Sequence, residues 1–400
     1  MRVCVLTNIL PPYRVGFYNE LARHCDLTVI VDALMTPDRL WSVDHGSIRF
    51  NVVVADGWRV SMSRPGNGYA SERRYVELAN RTLPLLRRLR PDIVISAEMG
   101  ARTLQALLYA HVRRIPFVCF WEGTPHTEQK VSRRSVLLRR FIARHSSGFW
   151  VNGRESAAYA QSLGVAPGRI FSGMTGVDTS HFREESQRRR TERESERSSR
   201  GLRGTVFVFS GSLSPRKGIV RLLQATDHLI ARTPEADLSL LFVGDGERRQ
   251  DIERWSAQHP EVPVVITGFV QMQELPRYYT CGDWFVLPTL EDCWPLATLE
   301  PLVCGLPQIF SIYNGATADL HAWPGTGLVC DPLDIGSLST ALGRALSPQD
   351  VPLEENVIAE VATFYGPIAQ AERAAASLRN LLPGRPLVTT AVTGLGQHSH

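Results

Sequence analysis

Two stretches of this 400-residue sequence carry side chains that can do chemistry. The first, Thr205 to Gly218 (TVFVFSGSLSPRKG), ends in Arg216, Lys217 and Gly218. Lysine is scarce: of 44 Lys and Arg residues, only Lys130 and Lys217 are lysines. A compact ammonium suits a diphosphate as a point charge, and a neighbouring guanidinium offers a planar fork. The second stretch, Thr289 to Pro307 (TLEDCWPLATLEPLVCGLP), supplies Glu291 and Asp292, with Glu300 about two helical turns further on. Carboxylates accept hydrogen bonds from vicinal hydroxyls, so this spacing suits a sugar held at one end and a ribose at the other. The plainer reading of both stretches is solvated charge near helix starts, where carboxylates are mildly favourable and cations are not.

The elements that would position these groups follow from residue type. Thr205 to Ser210 is a short apolar run, rich in β-branched and aromatic residues, which reads as a buried strand ended by Gly211. Ser214 and Pro215 predict a helix N-cap and first helical residue, with Ile219, Val220, Leu222 and Leu223 as the apolar face. Strand, glycine turn and capped helix together aim backbone N–H groups and a helix dipole at one point, a common anion site. In the second stretch Gly305 suits a helix C-cap, and Pro301 predicts a helix that begins near Thr298 or is kinked.

The same alternation runs through the chain. Arg2 to Thr7 (strand), Tyr13 to His24 (helix) and Leu27 to Val31 (strand) form a βαβ unit, the opening of a parallel sheet. Ligands of such sheets bind beyond the carboxyl ends of the strands, which makes Tyr13 and Arg14 candidate wall residues. Ile48 to Val54 reads as a strand, Gly57 to Ser71 as a loop, and Ser71 to Leu89 as an Arg-rich helix broken near Pro84. Asp92 to Ser96, Ala101 to Arg113 and Pro116 to Trp121 repeat strand, helix, strand, and Glu122 and His126 follow at the last strand's end. Gln129 to His145 is amphipathic: Val136, Leu137, Phe141 and Ile142 can share a face, with Arg133, Arg134, Arg139, Arg140 and Arg144 in solvent. Such a helix packs its stripe on a sheet or lies on an anionic membrane. Gly148 to Asn152 and Arg169 to Met174 read as the last strands of this half. In the second half, strands at Leu238–Val243, Val262–Thr267, Asp283–Leu287 and Leu306–Ser311 end in loops carrying Gly244, Gly268-Phe269-Val270, Thr289 and Asn314.

Four hundred residues exceed one ordinary core, so two domains are expected: 1–182 and 204–360, joined by a flexible charged linker at 183–203. An Ala-rich helix over 355–382, its 361–382 part returning to the first domain, and a disordered tail at 383–400 complete the chain. Hydrophobic content of 44% and charged content of 21% fit a globular protein. Seven cysteines without a CxxC pair read as buried thiols in a cytoplasmic setting. No apolar run approaches the roughly 20 residues that span a bilayer, and the first strand is too short for a signal peptide. The net charge of +4 divides into +10 over residues 1–182, +3 over 183–203 and −9 over 204–400. A basic first half suggests an anionic partner there, such as the inner face of a membrane.

Together these residues resemble the glycosyltransferase family 4 pattern on a GT-B fold, an α/β architecture of two facing Rossmann-like doubly wound parallel-sheet domains. The resemblance rests on VCVLTNILPPYR…FYNELA, VNGRESAAYAQSLGV…IFSGMTGVDTSHF, GSLSPRKG, LLFVGDGE, VVITGFV, DWFVLPTLEDCWPL, LEPLVCGLPQI and NGATADL…GTGLVCDPLD, in that order. It implies a retaining, metal-independent transfer of a hexose-type unit from a UDP- or GDP-linked sugar to a hydroxyl acceptor, lipid-linked or otherwise anionic. The setting implied is polysaccharide, glycolipid or glycoconjugate assembly, with no separate cofactor and no nucleic-acid partner. Lys217 then matches the diphosphate-holding lysine, and Asp292 and Glu300 the paired carboxylates for donor sugar and ribose, with Glu291 competing for the first role. Gly211, Ser212, Gly244, Leu296 and Ala297 fall on the donor loops, and Gly268, Phe269 and Val270 on the loop that meets the nucleobase. Ser212 stands where the family usually has arginine, a charge Arg216 can supply, and Pro295 stands where it has glycine. Tyr13, Arg14, Glu122 and His126 are the acceptor-side candidates. An acceptor-independent nucleotide-sugar epimerase and an inactive donor-binding subunit are the alternative readings.

Overall fold

The computed structural model describes residues 1–33, 43–55, 57–64, 72–79, 81–173, 176–347 and 353–382. It divides into two compact units, one containing the described residues of 1–64, 72–178 and 365–382, the other those of 179–364.

The first unit runs β1 (Arg2–Thr7), α1 (Pro12–Ala22), β2 (Asp26–Val31), β3 (Asn51–Val54), β4 (Gly57–Arg64), β5 (Glu72–Ala79), α2 (Thr82–Leu89), β6 (Ile93–Ala97), α3 (Ala101–Arg113), β7 (Phe117–Trp121), α4 (Arg133–His145), β8 (Gly148–Val151), α5 (Arg154–Ser162) and β9 (Ile170–Ser172). Seven strands form one parallel sheet in the order β3-β2-β1-β6-β7-β8-β9. Both faces are covered, so the strand interiors are apolar on both sides: Cys4, Leu6, Val94 and Cys119 face one layer, Val3, Val5, Ile93, Ile95 and Val118 the other.

The second unit contains α6 (Thr179–Arg189), α7 (Arg193–Ser199), β10 (Thr205–Ser210), α8 (Ile219–Arg232), β11 (Leu238–Val243), α9 (Arg249–Gln258), β12 (Val264–Ile266), α10 (Leu275–Tyr279), β13 (Trp284–Leu287), α11 (Leu296–Val303), β14 (Gln308–Ser311), α12 (Thr317–Leu320), β15 (Gly327–Cys330), α13 (Ile335–Ala345) and α14 (Glu355–Tyr365). Its six strands are parallel, in the order β12-β11-β10-β13-β14-β15. The last helix, α15 (Pro367–Asn380), belongs to the first unit, where Ala371, Ala374, Ala375 and Leu378 share a core with Phe17, Tyr18 and Leu21 of α1.

Four expectations need correction. The Ser71–Leu89 helix is instead strand β5 followed by the short α2, and the preceding loop holds β4, with Trp58 opposite Leu78 and Val60 opposite Val76. Alternation at Trp58, Val60 and Met62 is the period-2 signal, which the Gly- and Ser-rich residues around it obscure. Residues 183–203 are not a flexible linker but largely helical, in α6 and α7. Phe182 is fully buried, Glu185 pairs with Arg188 and Arg189 along the helix, and Arg197 and Glu196 reach Asp283 and Arg277 at 3.1 and 2.8 Å. Oppositely charged residues one turn apart support a helix, and partners elsewhere in the fold hold it down. The Ala-rich stretch is two helices, because Gly366 is extended and Pro367 starts α15. On α4, Ile142 and Ala143 are the buried residues whereas Leu137 and Phe141 are exposed. Arg139 is not in solvent: it lies 4.6 Å over Trp121 and bonds Glu128 at 2.7 Å. The expected tail at 383–400 and Met174 lie outside the described residues.

Candidate active site

In a doubly wound sheet the loops on either side of the point where strand order reverses diverge, and ligands settle in the crevice between them. In the second unit that point lies between β10 and β13, and the two chemistry-bearing stretches are the loops that follow those strands. Pro215–Lys217 forms a single tight 3-10 turn rather than the first turn of α8, because Gly218 intervenes at φ +72°. A side chain at Gly218 would meet the Pro288 carbonyl oxygen at 1.9 Å, so only glycine lets the two loops approach this closely. The Arg216 carbonyl accepts the Leu290 N–H (2.8 Å) and the Thr289 hydroxyl (3.1 Å), which ties one loop to the other.

Lys217 is buried, and its Nζ donates to Asp292 Oδ2 at 2.6 Å. Arg216 Nη1 donates to the same oxygen and to the Glu291 carbonyl, both at 2.8 Å. Backbone bonds from Asp292 N–H to Tyr313 O and from Gly315 N–H to Asp292 O, both 3.1 Å, fix Asp292 beside the loop after β14. Its side chain is only 15% exposed. Burial pushes its carboxyl up, but Lys217 and Arg216 more than offset this and hold it at about 2. Two cations thus share one carboxylate oxygen in a largely buried place. Glu291 is buried as well, and it offers Arg216 its carbonyl.

Glu300 sits in α11, which begins at Leu296 and carries Pro301 inside it, two residues earlier than expected from Pro301. The carboxylate of Glu300 is buried and accepts from the Tyr279 hydroxyl at 3.0 Å. Burial pushes it up to about 7, with the Tyr279 hydrogen bond pulling partly back. Pro295 caps this helix, and Leu296 and Ala297 form its first turn, partly exposed. Gly211 and Gly244 close on each other, since a side chain at Gly244 would meet the Gly211 carbonyl oxygen at 1.9 Å. Gly244 also bridges Gly268, after which Phe269 is exposed and Val270 partly so. Ser212 is exposed, its hydroxyl 3.4 Å from that of Ser214.

The first unit has its own reversal, between β1 and β6. There Arg14 is buried in α1 and pairs with Glu122 beyond β7, its guanidinium 4.8 Å from the Phe120 ring. Burial opposes its charge, but Glu122, Tyr18 and Tyr13 raise its affinity for the proton. His126 is partly buried in the following turn, with Nδ1 3.4 Å from Gln129 Nε2. Three residues were not anticipated. Asn152, at the end of β8, donates to Glu122 at 3.1 Å while its own buried Oδ1 has no protein partner. Glu98, after β6, holds a left-handed φ of +68° and lies 3.4 Å from Asn8 Nδ2. A non-glycine residue in that region marks stored strain and clusters at functional sites. Tyr279 was missed because an aromatic in a short helix has no distinguishing pattern.

Two Rossmann-like units, each a doubly wound parallel sheet on a single chain, define the GT-B class of fold. HepE of Anabaena in complex with UDP matches at a TM-score of 0.71, with 14% identity, over 95% of this chain and all of its own. The description Glycosyltransferase Family 4 matches residues 16–181 and Glycosyl transferases group 1 matches residues 204–348; the chain belongs to this glycosyltransferase family. Among relatives, the sulfoquinovosyl transferase SQD2 of Arabidopsis thaliana is 26% identical over 68% of this chain and 53% of its own. The UDP-Gal:alpha-D-GlcNAc-diphosphoundecaprenol alpha-1,3-galactosyltransferase of Escherichia coli is 31% identical over 36% of this chain and 38% of its own. The matches thus span about half of these relatives' own length or less. Among the described residues, no helix is long and apolar enough to cross a membrane.

Proposed function

We propose that this chain is a retaining glycosyltransferase that moves a sugar from a UDP- or GDP-linked donor to a hydroxyl acceptor. The observation that carries the reading is the buried Lys217 ammonium, held with Arg216 on a single Asp292 oxygen at the strand-order reversal of the second unit. An ammonium and a guanidinium brought together in a largely buried place fit a leaving diphosphate. Two findings about similar proteins support it: HepE of Anabaena is seen with UDP, and the Escherichia coli relative is named for UDP-Gal as donor.

In the proposed reaction the bond between the anomeric carbon and the β-phosphate oxygen breaks, and the acceptor oxygen bonds to that carbon from the same face. The acceptor proton passes to the departing phosphate oxygen. The protein's share is placement and charge: Lys217 and Arg216 turn from Asp292 to the diphosphate, and the free N–H groups at Leu296 and Ala297 add to them. Asp292, released, accepts from hydroxyls of the donor sugar, with Glu291 beside it. Glu300, braced by Tyr279, takes the ribose, and Phe269 offers a face to the base while Gly268 and Val270 shape the loop. Arg14, Tyr13, Glu122, Asn152 and His126 are the groups offered to the acceptor. No resident cofactor or metal enters the scheme.

A panel of nucleoside-diphosphate sugars, assayed with and without hydroxyl acceptors, tests the proposal. Transfer that needs an acceptor, keeps the anomeric configuration by NMR and falls in Lys217→Ala supports it. Conversion of the donor sugar without an acceptor, or inversion, would refute it.

A further inference from the structure

Helices α3 and α4 lie side by side on one face of the first unit's sheet, and both contribute to the same core through Ala106, Ala110, Ile142 and Ala143. Their outer surfaces are unusual. Leu108 and Val112, one turn apart on α3, are 55% and 70% exposed, and Leu137 and Phe141, one turn apart on α4, are 66% and 50% exposed. The C-terminal ends of the two helices meet at a shared cavity. The Phe141 ring lies 4.3 Å from that of His145, and His145 shares a cavity of about 280 Å³ with His111 and Arg114 of the α3 end. The two helices themselves carry charge of one sign. Residues 99–121 and 129–154 contain no aspartate or glutamate, and Arg113, Arg114, Arg133, Arg134, Arg140 and Arg144 are all exposed.

We propose that this two-helix face docks on an anionic lipid bilayer, inserting Leu108, Val112, Leu137 and Phe141 among the acyl chains while the arginines meet lipid phosphates. Apolar side chains accompanied by exposed arginines, with no carboxylate on either helix, are the composition an anionic interface selects. A second copy of this chain fits the face poorly, because a two-fold contact sets the same patch against itself and opposes like charges. The proposal stands on the first unit alone and does not depend on the donor site read in the second.

The test is co-sedimentation of the full chain, without donor, with phosphatidylcholine vesicles and with vesicles also containing phosphatidylglycerol. Binding to the second kind only, weakened by salt, is expected. Arg140→Ala and Arg144→Ala should each lower vesicle affinity about fivefold. Leu137→Glu/Phe141→Glu should abolish binding while leaving the thermal melting curve and any nucleotide binding unchanged, since both side chains are already solvent-exposed. No binding to anionic vesicles would overturn the proposal, as would undiminished binding by the double glutamate variant. So would a homodimer in sedimentation velocity that this variant dissociates. Vesicle binding with no glycosyl transfer would leave the proposal standing and count against the enzymatic reading only.

Discussion

Asp292→Asn isolates the charge balance of the candidate site. In the native chain one carboxylate oxygen faces both Lys217 and Arg216, at 2.6 and 2.8 Å. Holding that carboxyl at about 2 instead of its ordinary 3.8 corresponds to about 2 kcal/mol favouring the ionised, folded form, at about 1.4 kcal/mol per pH unit. Asparagine keeps the shape and removes the negative charge that Lys217 and Arg216 share. Breaking a buried ion pair in this way costs about 3–5 kcal/mol. The variant should therefore lose about 3–5 kcal/mol of stability in urea titration, with its midpoint at lower urea. A nucleoside diphosphate supplies the missing charge, so it should stabilise Asp292→Asn more than it stabilises the native chain. Urea titrations of both proteins, with and without UDP or GDP at equal concentration, measure the difference. Equal stabilisation of the two proteins, or loss of nucleotide binding by the variant, would refute the idea that Asp292 stands in for the diphosphate.

Other outcomes follow from the same geometry. The Glu300 carboxyl, raised from 4.5 to about 7, contributes stability that is fully present below pH 4.5 and is lost as pH rises through 7. Native stability should thus fall by about 3 kcal/mol across that window, and Glu300→Gln should flatten the slope in denaturant titrations at stepped pH. Gly218→Ala forces a side chain into a left-handed backbone and onto the Pro288 carbonyl, so a loss of about 3 kcal/mol or more is expected in thermal melts. Tyr279→Phe removes the hydrogen bond to buried Glu300, and its destabilisation, about 1–3 kcal/mol, should be largest above pH 7, where Glu300 is ionised.

Much of the fold was legible because parallel strands buried on both faces leave uninterrupted apolar runs. Ala101–Arg113 and Leu238–Val243 have the bounds expected of them. What escaped were places where tertiary partners decide. The charged run at 183–203 looked unstructured because its anchors, Asp283, Arg277 and Glu355, lie about 80 to 170 residues further along the chain. Arg139 looked solvated because stacking on Trp121 leaves no local trace in sequence. At the candidate site, the lone lysine and its neighbouring carboxylates were visible, and their loops do meet at the sheet's reversal. Their mutual neutralisation was not, since nothing in the spacing says that Lys217 and Asp292 will share an oxygen. Asn152 and Glu98 went unnoticed because an unpaired amide oxygen and a left-handed glutamate are properties of the folded chain only.

The most direct measurement is calorimetric titration of UDP and GDP into the native chain and into Lys217→Ala, a variant that trims the side chain without touching the backbone. Saturable binding of one of these nucleotides, weakened about 10- to 100-fold by loss of the ammonium, is expected for a charge-assisted contact in a dry site. Binding of equal strength in both proteins, or no binding of either nucleotide by the native chain, would contradict the reading that the second unit exists to hold a departing diphosphate.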